Sequence, residues 1–144
     1  MTRINVVPVE ELSNQHLMSE YRELPMVHGS LRRTLKSTKG FQLSRVSPTY
    51  TLNSGHVYFW YNKKSFLLDR FQQLVKELEY RGFQIDPDSR SIDWSVFDNV
   101  PQVEWSSTDK DHITNLDRII IRLNQKPKFY KWTKREVPTY YKMP

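Results

Sequence analysis

The sequence predicts an all-α fold, a compact single domain of three main helices with long irregular loops, covering residues 1–144. Three segments repeat apolar residues at alternating steps of three and four, which is the spacing of one helix face. Residues that cap or break helices bound each segment. A chain of 144 residues also has the usual size of one domain.

The first predicted helix runs from about Ser13 or Asn14 to Lys36. Both residues at its start are good N-caps, since their side chains accept a hydrogen bond from a backbone N–H of the first turn. Pro25 lies inside this helix and removes one backbone hydrogen bond, so we expect a kink there. The apolar stripe consists of Leu17, Tyr21, Leu24, His28, Leu31 and Leu35.

The second predicted helix runs from about Lys63 to Arg81, with Asn62 as its cap. Gly82 and Phe83 after it are typical of a Schellman stop, in which a glycine and then an apolar residue follow the last turn. The apolar stripe consists of Leu67, Phe71, Leu74 and Leu78.

The third predicted helix runs from about Thr108 to Gln125. Ser107, Thr108 and Asp109 provide its start, and Pro127 ends it. The apolar stripe consists of Ile113, Leu116, Ile120 and Leu123.

Long connections join these helices, a loop over residues 37–62 and an irregular stretch over 83–106. Residues 56–61 (HVYFWY) have strand propensity. No partner strand is evident, and a lone strand is unstable. We therefore interpret residues 56–61 as a packed loop.

The charge of the chain is concentrated in two basic blocks. The net charge is +6, and residues 22–45 and 126–144 each hold six basic side chains and one acid. Two positive blocks on an otherwise acidic chain favour a surface for a polyanion such as nucleic acid. The alternative is two solvated helix faces without a ligand.

Composition excludes several function classes. The chain has no cysteine, so disulfides, thiol catalysis, Cys-ligated zinc and iron–sulfur clusters are excluded. No apolar run approaches the roughly 20 residues of a membrane span, and no signal peptide is evident. The four histidines form no pair at helical spacing, and no phosphate-binding glycine loop is present. We expect a soluble intracellular protein without a catalytic metal.

Polar residues on the first helix are candidates for chemistry. Gln15, His16, Arg22 and Glu23 lie off the apolar stripe, and Glu23 is the only acid among the cations of its block. A carboxylate held among cations suits proton transfer or charge stabilisation. The alternative is a surface glutamate in ordinary ion pairs.

Further candidates lie in the third helix and the tail. Arg118 and Arg122 are one turn apart and off the stripe, where they could bind adjacent phosphates or simply face solvent. The tail over residues 126–135 alternates cations with aromatic rings, which suits contact with phosphates and bases. The same rings could instead pack back onto the helices.

Thr2 follows the initiator methionine, and a small second residue permits removal of that methionine. The exposed α-amine would have a pKa near 8, which nearby cations lower. An unprotonated amine can attack an electrophilic carbon and form an imine. Many chains begin Met-Thr, so this feature alone is weak.

Several motifs together resemble one family. They are Met1-Thr2-Arg3-Ile4-Asn5, Gln15-His16-Leu17-Met18, Glu20-Tyr21-Arg22-Glu23-Leu24-Pro25, Ser47-Pro48-Thr49, Gly55-His56-Val57, Phe66-Leu67, Arg81-Gly82-Phe83, Pro127 and Tyr130-Lys131. The chain resembles the pyrimidine-dimer DNA glycosylases with AP lyase activity, the endonuclease V of T-even phages. The resemblance spans nearly the whole chain and is weakest over 84–112.

The resemblance implies a fold of three helices with the N-terminal segment threaded between them. It implies that the Thr2 amine attacks C1′ of the 5′ nucleotide of a cyclobutane pyrimidine dimer, and that β-elimination then cuts the strand. Glu23 would stabilise the cationic intermediates and assist proton transfer, and neither step would need a metal or another cofactor.

The resemblance also implies a DNA-facing surface. Its residues would be Arg3, Gln15, His16, Arg22, Arg118, Arg122, Tyr130, Lys131 and Trp132. The expected partner is double-stranded DNA with pyrimidine dimers or abasic sites, bound by a monomer without a membrane. We expect a cytoplasmic, DNA-associated protein of a bacterial or phage-infected cell.

Two departures leave alternatives open. Met26 stands where the family has an arginine beside the proline, so one phosphate contact is lost there, and the tail diverges after Thr133. The alternatives are a family member with another lesion preference, a non-catalytic DNA-binding module, or a protein–protein adaptor that uses the aromatic tail.

Overall fold

A computed structural model describes residues 4–141, which contain α-helices and short 3₁₀ turns but no β-strand. The predicted all-α fold is thus confirmed. The α-helices are α1 (Asn14–Glu23), α2 (Met26–Lys36), α3 (His56–Phe59), α4 (Lys64–Tyr80) and α5 (Asp109–Gln125). The 3₁₀ turns are Val9–Glu11, Leu43–Arg45, Trp60–Asn62, Pro87–Arg90 and Trp94–Asn99.

The first predicted helix is divided into α1 and α2. Leu24 and Pro25 keep helical backbone angles, but Pro25 has no N–H to donate, and α1 ends at Glu23. The helical hydrogen-bonding pattern is therefore interrupted between Glu23 and Met26, where the sequence predicted a disturbance by Pro25. Ser13 caps α1, since its Oγ accepts from the N–H of His16 at 3.1 Å.

The predicted ends of α4 and α5 follow the expected chemistry. After α4, the N–H of Phe83 donates to the carbonyl of Leu78, and Gly82 has a φ of 92° that favours glycine. This is the Schellman stop. Thr108 and Asp111 form a reciprocal capping box at the start of α5.

Three sequence expectations were wrong. Asn62 does not cap α4, because the N-cap residue is Lys63 and no side chain caps that end of the helix. Residues 56–61 form α3 and the following 3₁₀ turn rather than a loop, because without a strand partner a helical turn satisfies their backbone groups internally. The buried face of α5 is also displaced from the predicted stripe. Ile113 is 61% exposed, and Ile119 is buried in place of Ile120.

The N-terminal segment, residues 4–9, is buried in the core except at Pro8, which is exposed. Ile4 is fully buried, and its N–H donates to Nε2 of His56 at 2.9 Å while its carbonyl accepts from the hydroxyl of Tyr50 at 2.9 Å. Side chains from α1, α4 and α5 complete this core. The largest fully buried ones there are Tyr21, Leu17, Leu24, Leu67, Leu74 and Leu78, with Leu123 also fully buried.

Candidate nucleic-acid interface

A cavity of about 900 Å³ opens between α1, α5 and the tail. It brings together most of the residues that the sequence predicted for a site. Those lining it are Gln15, His16, Arg22, Glu23, Arg118, Arg122, Tyr130 and Lys131. Thr2 and Arg3 lie outside the described residues. Trp132 does not line the cavity.

The cavity is strongly basic. Its cationic lining residues are Arg22, Arg118, Arg122 and Lys131. Within residues 4–141, none of the four forms an ion pair with a carboxylate, although Arg118 donates to Oδ1 of Asn53 at 3.2 Å. No carboxylate of the described residues neutralises these four cations, so the cavity has a positive potential. Such an arrangement attracts the phosphates of a nucleic acid.

Two carboxylates reach this cavity, and they have different surroundings. Glu20 is fully buried and bonded through both oxygens to Arg70, with Oε2 at 2.7 Å from Nε and Oε1 at 3.0 Å from Nη2. The positive charge of Arg70 thus compensates the negative charge of Glu20. Glu23, the last residue of α1, is half-buried and lines the cavity.

A buried hydrogen-bond network fixes the N-terminal segment beside these carboxylates. Oδ1 of Asn115 accepts from the N–H groups of Val6 at 2.8 Å and Val7 at 3.2 Å, and its Nδ2 donates to Oδ1 of Asn5 at 2.8 Å. Nδ2 of Asn5 in turn donates to Oε1 of Glu20 at 2.8 Å. The network connects α5 to α1 across the segment and leaves Asn5 on the cavity wall.

Sequence reasoning missed the buried ion pairs of α4 that bind the N-terminal segment and Glu20, although the sequence carried a signal for them. Arg70, Glu77 and Arg81 occur at helical spacing with the apolar stripe of α4. A charged residue on an apolar face indicates a buried ion pair. Arg70 binds Glu20 and the carbonyl of Val7, and Arg81 binds Glu77 and the carbonyl of Val9.

The tail forms one wall of the cavity because α1 holds its backbone. The carboxamide of Gln15 donates to the carbonyl of Phe129 at 3.0 Å and accepts from the N–H of Lys131 at 3.0 Å. The N–H of Asn14 donates to the carbonyl of Lys131 at 2.7 Å. Gln15 therefore lines the cavity with both ends of its carboxamide bonded to the tail.

His16 and Tyr130 form a stacked pair on this wall. Their ring centroids are 4.8 Å apart and their planes are 2° from parallel. Burial, with a smaller contribution from the charge of Arg122, lowers the pKa of His16 from 6.5 to about 4. His16 is therefore neutral at physiological pH, and Nδ1 lies 2.9 Å from the hydroxyl oxygen of Ser13.

The end of the tail packs back onto the protein. Nε1 of Trp132 donates to the carbonyl of Glu11 at 3.0 Å, and its ring lies 5.7 Å from that of Tyr141. Arg135 binds both oxygens of Glu77 at 2.8 and 2.9 Å. The interpretation that the rings pack back onto the protein thus holds for Trp132, whereas contact of the tail with DNA stays a prediction. Tyr130 and Lys131 line the cavity, whereas Trp132 anchors the tail.

Residues 4–141 contain no group of three or more His, Asp or Glu side chains that could bind a metal ion. No helix in this part of the chain is both long and apolar enough to cross a membrane. The groups on the cavity wall that can interact with a ligand are its cations, the stacked pair of His16 and Tyr130, and the carboxylates of α1.

A helical domain with a basic cavity is typical of a protein that binds nucleic acid. The family model described as pyrimidine dimer DNA glycosylase matches residues 1–91. The matched part is more than half of the 144 residues and includes α1, α2, α3 and α4. The chain belongs to this family, whose role is in the repair of damaged DNA.

Proposed function

We propose that the chain cleaves the N-glycosidic bond of the 5′ nucleotide of a cyclobutane pyrimidine dimer through the Thr2 amine and then cuts the strand as an AP lyase. The amine attacks C1′, the glycosidic bond breaks with its electron pair going to the base, and the sugar ring opens to an imine. Loss of a proton from C2′ then expels the 3′ phosphate. Each step proceeds through a covalent bond to the protein.

The observation that carries this proposal is the course of the N-terminal segment. Asn5 lines the same cavity as Glu23 and is bonded to Asn115 and Glu20. Thr2 precedes Asn5 by three residues, so chain connectivity keeps it within about 11 Å of Asn5. The proposal requires that the amine reach a sugar bound in the cavity, and the connection to Asn5 is short enough to allow this.

The proposed role of Glu23 is to stabilise positive charge and move a proton. Attack at C1′ creates a cationic sugar, and the imine is cationic when protonated. A carboxylate on the cavity wall stabilises both species. The surrounding cations, Arg22, Arg118, Arg122 and Lys131, would hold the phosphates of the distorted strand.

The test is borohydride trapping on a duplex with one thymine dimer, beside a duplex with one abasic site. We expect a covalent adduct on both, mapped to the Thr2 amine. Extension of the chain by one residue before Thr2 should abolish trapping, and Glu23→Gln should abolish cleavage of the glycosidic bond in the dimer duplex. Glu79→Gln, which changes an exposed glutamate on α4, is the matched control and should retain activity.

The outcomes separate the alternatives. An adduct on the abasic duplex alone would assign the protein to another lesion and contradict dimer excision. Absence of an adduct on both, with Met1 shown to be removed, would favour a DNA-binding module without catalysis. Activity that survives both the extension and Glu23→Gln would refute the mechanism.

A further inference from the structure

A second basic groove, of about 480 Å³, lies at the far end of α2 and in the loop after it. Its charged lining residues are Arg33, Lys39 and Arg45. Its hydroxyl-bearing lining residues are Ser30, Thr34, Ser37 and Thr38. None of these residues lines the cavity between α1 and α5. The groove presents three cations, and Lys and Arg side chains are groups that bind phosphate oxygens in proteins.

The groove lies in a part of the chain without acidic residues. Residues 24–68 contain seven Lys and Arg but no Asp or Glu. Two of the seven are neutralised from elsewhere, Arg32 by Asp93 and Lys64 by Asp98. Within residues 4–141, the three groove cations form no ion pair. Their charge outweighs the partial negative charge of about one half at the carbonyl end of α2.

Internal hydrogen bonds fix the walls of the groove. The hydroxyl of Tyr61 lies 2.6 Å from Oγ of Ser30. Oγ of Ser37 donates to the carbonyl of Thr34 at 2.6 Å and accepts from the N–H of Gly40 at 3.2 Å. The guanidinium of Arg45 lies 4.7 Å from the centre of the Tyr58 ring. A ligand therefore meets a surface whose loop is already ordered, which lowers the entropic cost of binding.

We propose that this groove binds the phosphodiester backbone of the same DNA duplex, away from the lesion. This inference rests on the proposed function. The eleven residues of α2 span about 16 Å at 1.5 Å per residue, and the helix begins three residues after Glu23. With Glu23 at the damaged step and α2 along the duplex, as the proposal requires, the groove would meet phosphates about four to five base pairs away, since successive phosphates are about 3.4 Å apart along one strand.

The first test compares Lys39→Gln with Lys76→Gln, which removes the same charge from an exposed position on α4. Affinity for a lesion duplex is measured between 50 and 200 mM salt. For Lys39→Gln, the slope of log K against log salt should fall in magnitude by about 0.9, the value for one phosphate contact. For Lys76→Gln it should not change. An unchanged slope for Lys39→Gln, or an equal fall for both variants, would overturn the inference.

The second test locates the phosphate. Single phosphates three to six steps from the lesion are replaced in turn by neutral methylphosphonates. At one position the replacement should weaken binding by the wild-type protein but not by Lys39→Gln, which is the coupling expected of a direct contact. Equal losses for both proteins at every position would refute the contact.

Failure of the groove and failure of the proposed function give different results. If the wild-type protein excises dimers while the salt slope of Lys39→Gln is unchanged, the groove inference alone is wrong. If the wild-type protein shows no excision or trapping on any dimer duplex, the proposed function is wrong whatever the groove binds.

Discussion

Replacement of Asn115 by alanine should release the N-terminal segment from the core. Asn115 is 1% exposed, and its carboxamide makes three hydrogen bonds, to Val6, Val7 and Asn5. Asn115→Ala leaves two backbone N–H groups and one carbonyl oxygen without this partner. An unsatisfied buried polar group costs about 1–3 kcal/mol. Because Asn115 borders the cavity, water can solvate part of the site, and the lower bound of about 1 kcal/mol for each group applies.

The expected loss is therefore about 3 kcal/mol of unfolding free energy, or about 6–12 °C in Tm for a domain of this size. Equilibrium urea unfolding followed by tryptophan fluorescence measures it. Asn124→Ala is the matched control, since Asn124 is exposed on the same helix. The control should remain within about 0.5 kcal/mol of the wild type.

Hydrogen exchange and trapping distinguish local release from general weakening. The amides of Val6 and Val7 should lose protection in Asn115→Ala before the rest of the core does. At a temperature where the variant is folded, the rate of borohydride trapping should fall by about tenfold or more, because the segment carrying Thr2 is less well oriented. Unchanged protection at both amides, or a destabilisation under about 1 kcal/mol, would refute the reasoning.

Three further predictions concern charge. The depressed pKa of His16, about 4 against 6.5, means that the stability it contributes is present above pH 6.5 and is lost as the pH falls toward 4. Between pH 7 and 4.5 the wild type should lose about 2.4 kcal/mol more than His16→Phe, whereas titration of His16 near pH 6.5 by NMR would contradict this. Glu20→Gln leaves Arg70 buried without its anion and should cost about 3–5 kcal/mol in urea unfolding, and a loss below about 1 kcal/mol would show that the pair is not needed. Met26 is 58% exposed and one turn beyond Arg22, so Met26→Arg should steepen the salt slope of DNA binding by about 0.9, and an equal slope would place it off the DNA path.

The sequence by itself determined the local structure well where the signal is short-range. The serine before α1, the capping box of Thr108 and the glycine stop after α4 act over three to five residues, so each is visible in the chain. The apolar spacing likewise identified the buried face of α4, where Leu67, Phe71, Leu74 and Leu78 are all buried. The resemblance carried by the N-terminal motifs led to the family that residues 1–91 match.

Only the tertiary structure decided how distant segments meet. Gln15 binds backbone 114 and 116 residues away, and Asn115 binds Val6, 109 residues away. No periodicity encodes such pairs, because a helical repeat fixes which residues share a face but not which face a neighbour covers. The same limit explains α5, whose buried side includes Asn115 and Ile119 rather than Ile113, since the buried N–H groups of the N-terminal segment require a polar partner there.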